Sequence, residues 1–219
     1  MIQLAAFLGN PGAEYARNRH NAGRMLAQAL PFYTSLGWQK KYKSLYAATD
    51  SARLLSAAPP SGETEPSDLP DKIHFLMPET YMNLSGESVL AAASFFKIKS
   101  ESILVVHDEL ELPLGTLSLK FSGGLGGHNG LRSMKACFGN ADFWRLRIGI
   151  GRPGDRLPGE GGPPGSGKGV SDWVLSDFSG AEMEQLAPVL DAALVLFLSA
   201  LTGNPEKLLP QWAKKKIAA

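Results

Sequence analysis

Apolar positions recur along the chain with two different periods. Residues 2–8, 73–77, 103–106 and 144–150 are short, mostly apolar runs, the third rich in β-branched residues. Such runs are the mark of strands buried on both faces. Residues 44–49 and 116–121 also read as strands, the second with clear alternation. Helical spacing appears over 21–36, where Met25, Leu26, Ala29 and Leu30 share a face, and again over 84–96 and 130–138. Ser179 followed by Glu182 forms a capping box, which predicts a long helix running to about Leu201. A last short helix is expected over 205–216. Alternation of strands and helices predicts an α/β fold: one three-layer domain over 1–219, with a mixed, mostly parallel central sheet flanked by helices. The strands at 44–49 and 116–121 look hairpin-connected, so some pairing should be antiparallel.

Two stretches break the pattern. Residues 56–71 carry prolines, serines and acids with few large apolar groups and read as a surface insertion. Residues 151–169 are a Gly/Pro-rich loop.

Composition narrows the class only slightly. The 219 residues are 44% hydrophobic, enough for a sizeable core, and the net charge is +1, so no global field singles out a nucleic-acid partner. A single cysteine, Cys137, excludes a disulfide framework and suits a reducing compartment. The N-terminal apolar run lacks a basic flank and reads as a first strand, not a signal peptide. No apolar run reaches the ~20 residues of a membrane span, so no membrane partner is expected.

The chemistry gathers where strands end. Leu8 runs into Gly9-Asn10-Pro11-Gly12, and Met77 into Pro78-Glu79-Thr80-Tyr81-Met82-Asn83. Val106 runs into His107-Asp108, and Phe121 into a glycine loop that holds His128 and Asn129. In open α/β sheets ligand crevices lie beyond the carboxyl ends of the strands. Parallel neighbours would therefore bring these segments to one crevice holding amides, a carboxylate and imidazoles. That inventory suits hydrolysis by activated water: an imidazole base, an acid that orients it, and amide donors for the oxyanion. Taken singly, each residue has a structural alternative. His20 is a surface group before a helix, Asp108 a turn cap, Asn10 a turn former, Asn83 an N-terminal helix residue, and His128 and Asn129 helix caps. The glycine loop lacks the Gly-Lys-Ser/Thr ending of a P-loop. A metal site built on His107, Asp108 and His128 has no supporting ligand spacing.

Several blocks together resemble one family. FLGNPGAEYARNRHNAG, MPETYMNLSGESV, HDELELPLGTLSLKFSGGLGGHNGLRSM, FWRLRIGIGRPG and VSDWVLSDFS are similar, in order, to the signature blocks of bacterial-type peptidyl-tRNA hydrolases, from residue 1 to about 180. The resemblance implies a monomeric cytoplasmic esterase, free of metal and cofactor. It would cleave the bond between a peptide and the terminal adenosine of tRNA. His20 then matches the catalytic base and Asp108 its supporting acid. Asn10, Asn83 and Asn129 match amides that hold substrate and water. Tyr15 matches an aromatic beside the ester, and His128 the histidine of the glycine loop, placed among the substrate-binding residues. Lys120 and Arg147 match basic positions that grip a tRNA phosphate. Departures from the pattern are Asn18 before the Arg-His-Asn triplet, Ser118 two residues before Lys120, and Ser122 at the head of the glycine run. A non-catalytic RNA-binding protein and a small-molecule esterase are the competing expectations.

Overall fold

The computed structural model describes residues 1–59, 69–155 and 169–218. Most of the expected 56–71 insertion and of the 151–169 loop lies outside the described residues. Eight strands form one sheet: β1 (Leu4–Phe7), β2 (Gln39–Lys41), β3 (Ser44–Asp50), β4 (Lys72–Pro78), β5 (Ile103–Glu109), β6 (Thr116–Phe121), β7 (Trp144–Gly149) and β8 (Lys215–Lys216). Their spatial order is β2-β3-β4-β1-β5-β7-β6-β8. The central strands β4, β1, β5 and β7 are parallel, whereas β2, β3, β6 and β8 add antiparallel edges. The mixed sheet expected from the sequence is therefore present.

Helices cover both faces. Helices α1 (Ala22–Gln28), α2 (Ser51–Ala57) and α6 (Gly180–Thr202) pack on one side, around Phe7, Phe75, Val106 and Leu146. Phe197 of α6 lies 5.2 Å from the Phe7 ring and 6.1 Å from that of Phe75. Burying a side chain of this size contributes roughly 1.5–3 kcal/mol relative to exposure. Helices α3 (Ser85–Phe96) and α4 (Asn129–Phe138) pack on the other side, around Leu4, Leu76, Val105 and Phe143. α5 (Val170–Val174) and α7 (Pro205–Trp212) complete the described helices. By length and composition α6 could cross a membrane, but half of its most apolar window is buried inside the fold.

Three sequence expectations are corrected. The helix expected over 21–36 is the shorter α1, followed by a 3-10 turn at Tyr33–Ser35. Pro31 accounts for the break, because the residue before a proline is pushed out of the α region. The helix expected over 205–216 stops at Trp212, and Lys215–Lys216 instead pair with β6. There Ile217 N–H donates to the Gly115 carbonyl, so the tail satisfies an otherwise open edge. Finally, β6 is antiparallel to β7 and ends at Phe121 opposite Trp144, itself the partner of Leu104 near the start of β5. Its carboxyl end thus lies at the opposite edge from those of β1, β4 and β5, and the glycine loop must run back along the sheet to reach them.

Candidate active site

The carboxyl ends of β4, β1 and β5 open onto a cavity of about 570 Å³. Asn10, Tyr15, His20, Asn83, Asp108, His128 and Asn129 all line it. Seven side chains read from scattered segments of the sequence are therefore brought together.

His20 sits in a 3-10 turn, Arg19–Asn21, that leads into α1. Gly23 sets the height of that helix over the sheet. A Cβ there would lie 2.6 Å from the carbonyl oxygens of both Leu8 and Val106, so only glycine lets α1 approach β1 and β5 so closely. This close approach lowers His20 onto Asp108 at the end of β5. The His20 Nδ1–H donates to Asp108 Oδ1 at 2.9 Å and Oδ2 at 3.0 Å. Asp108 is 1% exposed and His20 7%.

The loop from Ser122 returns with the left-handed backbone it needs: Ser122, Gly123, Gly126 and Gly127 all have positive φ. Ser122 tolerates this and donates its hydroxyl to Asp142 at 2.7 Å. At the loop's end His128 caps α4. Its Nδ1 accepts the N–H groups of Gly130 and Leu131, at 3.1 and 3.3 Å. That acceptance fixes the tautomer, and Nε2–H donates to Asp108 Oδ1 at 2.9 Å. Both ring nitrogens of His128 are thus committed within the protein. His128, expected among the substrate-binding residues, lines the cavity as well as bonding to Asp108.

Asp108 is reached by an imidazole from each side of the sheet. Burial alone would raise its pKa, but the electrostatic attraction of the His20 and His128 rings and their hydrogen bonds pull it far below the usual carboxylate range. For His20, burial lowers the pKa, while the charge of Asp108 and the hydrogen bond to it raise it; the net shift is upward. Ligand atoms of His20, Asp108 and His128 lie within 4.8 Å of one another, a spacing a metal ion could use. Here both rings donate N–H to one carboxylate, so a cation would have to displace two protons.

The amides differ in role. Asn10 N–H donates to Asn21 Oδ1 at 2.8 Å, Asn21 Nδ2 returns a bond to the Asn10 carbonyl at 3.0 Å, and the Met82 N–H donates to Asn10 Oδ1 at 2.8 Å. The Asn10 carbonyl end is therefore fixed. Asn83 and Asn129 are exposed on the cavity rim. Sequence reasoning missed Asn21, whose side chain holds the Asn10 turn. It also missed the wall formed by Val170, Ser171, Val174 and Leu175. The VSDWVLSDFS block marked that wall, but the side chains it turns to the cavity include no ionisable group to single out.

Lys120 and Arg147 do not line the cavity. They stand on β6 and β7, across Glu109, which does. Arg147 Nε donates to Glu109 Oε2 at 2.9 Å and Nη1 to Ser118 Oγ at 3.3 Å. Arg145, 1% exposed, donates Nη1 to the Gly124 carbonyl at 2.6 Å and so holds the returning loop. Its Nε and Nη2 have no partner among the described residues. The Lys120 pKa is lowered, first by desolvation and then by the charges of Arg145 and Arg147.

Comparison with known proteins agrees with the fold. A family model described as peptidyl-tRNA hydrolase matches residues 4–219. A protein named peptidyl-tRNA hydrolase from Treponema pallidum (strain Nichols) is 43% identical over 220 residues, covering 99% of this chain and 96% of that one. A peptidyl-tRNA hydrolase crystallised with N-propanol superposes with a TM-score of 0.75 at 32% identity, over 96% of this chain and 93% of that chain. The Acinetobacter baumannii enzyme gives the same values.

Proposed function

The chain belongs to the peptidyl-tRNA hydrolase family, and from that premise we propose how its own residues carry out the hydrolysis of peptidyl-tRNA. The observation that carries the reading is the buried His20–Asp108 pair at 2.9 Å, set in the cavity with its ring Nε2 free of any partner among the described residues.

Neutral His20 is the base. Asp108, ionised throughout the physiological range, holds the tautomer with its proton on Nδ1 and stabilises the imidazolium that forms. His20 Nε2 removes a proton from water as its oxygen attacks the ester carbonyl. The tetrahedral intermediate places a negative charge on the former carbonyl oxygen, where side-chain amides from Asn10, Asn83 and Asn129 can donate. Collapse breaks the bond to the 3′ oxygen of the terminal adenosine, and His20 returns its proton to that leaving oxygen. Peptide acid and intact tRNA result. An uncharged amide can also accept from the N–H of an N-acylated residue, which a free ammonium does not offer in the same form. Tyr15 packs beside the ester, and Lys120 and Arg147 grip a tRNA phosphate. The enzyme acts as a monomer in the cytoplasm, a reducing compartment that suits the single free cysteine.

The test offers N-acyl-aminoacyl-tRNA and the unacylated aminoacyl-tRNA to the full-length protein. Hydrolysis of the first alone is expected. His20→Ala should lower kcat by about 10²–10⁴-fold, the usual worth of a general base, with tRNA binding near normal. A kcat within about tenfold of wild type would remove His20 from that role, and RNA binding without turnover would overturn the catalytic reading.

A further inference from the structure

Arg19 precedes the catalytic histidine in the chain but points away from the cavity. Its side chain is 5% exposed and ends among residues more than 150 positions later. Nη1 donates to the Ser176 hydroxyl at 2.7 Å, the Ser176 carbonyl at 3.2 Å and the Asp177 carbonyl at 2.7 Å. Nη2 lies 2.6 Å from both carboxylate oxygens of Glu182, the residue that closes the capping box of α6. The guanidinium stacks on Trp173 at 3.8 Å from the ring centroid. Trp173 in turn donates its indole N–H to the Gly151 carbonyl, just past β7, at 3.0 Å.

The backbone repeats this link. Arg19 N–H donates to the Ser176 carbonyl, Phe178 N–H to the Arg17 carbonyl, and Asn18 and Asp177 form a bridge. The segment that carries His20 and the segment that follows α5 are therefore one unit, with Arg19 at its centre. α5 supplies Val170, Ser171 and Val174 to the cavity wall, and Leu175 follows. A planar guanidinium is suited to this place, because it can stack on Trp173 while one amino group meets the Glu182 carboxylate and the other the Ser176 and Asp177 carbonyls. If the site required only filling, an apolar side chain would avoid the cost of desolvating a cation.

We propose that Arg19 is a positioning residue that fixes the spacing between the α5 wall and the imidazole of His20. The inference rests on the hydrolase reading above. Displacement of a reacting group by about 1 Å can cost 10²-fold in rate, so a loosened wall should be visible in turnover.

A double-mutant cycle tests it, with N-acyl-aminoacyl-tRNA as substrate and wild-type turnover as the control for the reaction itself. Arg19→Ala should lower kcat by about tenfold or more while KM changes by less than about threefold. Trp173→Ala should cost about tenfold in the wild-type background but less than about twofold once Arg19 is gone, because both act through the same contact. A merely structural role predicts less folded protein, with kcat per folded molecule unchanged. Multiplying effects, or an Arg19→Ala protein with kcat within about twofold of wild type, would overturn the proposal. Should Arg19→Ala fail to fold, Glu182→Gln keeps one oxygen for the Ser179 N–H and removes the charge and the second acceptor that face Arg19. With an unchanged near-ultraviolet circular dichroism spectrum, it should still lower kcat about threefold or more, and an unchanged kcat would sink the idea.

Discussion

Two polar clusters flank the end of β5, and they are built on opposite principles. Around Asp108 the network is closed: one carboxylate, two imidazoles, and, among the described residues, each ring nitrogen engaged except Nε2 of His20. Around Glu109, one residue later, three cations converge on a single carboxylate: Lys120, Arg145 and Arg147. That second cluster has an excess of positive charge, and two guanidinium nitrogens of Arg145 have no partner among the described residues. A group that must act as a base in every turnover gains from a closed network, since nothing has to reorganise when charge develops. A surface meant to attract a polyanion gains from unbalanced charge. The two clusters meet through the Asp108–Glu109 step of one strand, so on the proposed mechanism chemistry and charge attraction sit side by side.

The sharpest way to break this contrast is to open the closed network. Asp108→Asn removes the charge that both rings face and one of the two acceptor oxygens, and lets the amide donate where the carboxylate only accepted. We expect kcat to fall by about 10²-fold or more, within the range for losing a catalytic proton-transfer group. The pH profile tells how it fails. In the wild type, burial lowers the His20 pKa but Asp108 more than offsets it, so the net shift is upward. The acid limb of kcat/KM should therefore lie above the ordinary imidazole value of 6.5. Without Asp108 only burial remains, and the limb should move to lower pH even as the rate falls. A limb that stays in place would show that it reports some group other than His20.

His128 tests whether the second imidazole belongs to that network or to the substrate. His128→Ala deletes a donor to Asp108 and the N-cap of α4 together. Loss of a cap costs about 0.5–2 kcal/mol, which thermal unfolding would register. We expect kcat to fall roughly tenfold, one hydrogen bond's worth, with KM nearly unchanged. A large rise in KM at constant kcat would restore His128 to the substrate-binding residues.

Much of the catalytic cluster was legible because its chemistry coincides with chain punctuation. Asn10, Asn83 and Asp108 each follow an apolar run, and parallel pairing of β4, β1 and β5 carries those ends to one edge. The glycine loop was legible as a close approach but not as a return path. An antiparallel β6 was expected from its hairpin-like setting and is present, but the sequence reading set its carboxyl end at the crevice, from which it faces away. The cationic cluster was harder still. Arg145, Arg147, Ser118 and Lys120 lie on two strands whose register depends on that same direction. Arg147 read as a free cation, whereas the fold commits its Nε to Glu109. Pairing of this kind depends on which side chains share a sheet face, which periodicity fixes only after the strands are ordered.

The smallest effect should come from Lys120, and it is the cleanest probe of the open cluster. Arg147→Ala would break a buried ion pair, at a cost of about 3–5 kcal/mol, and so confuse folding with binding. Lys120 is half-buried and makes no ion pair with the described residues, so its removal leaves the core intact. It also relieves repulsion from Arg145 and Arg147, which should make Lys120→Ala no less stable than wild type. KM for acylated tRNA should rise severalfold at low salt while kcat holds, because the lost contact is electrostatic and remote from the ester. The slope of log KM against log salt should flatten by about 1, the signature of one phosphate contact removed. An unchanged slope would mean that the charge excess around Glu109 serves to hold the glycine loop, through the Arg145–Gly124 bond, and not to meet RNA.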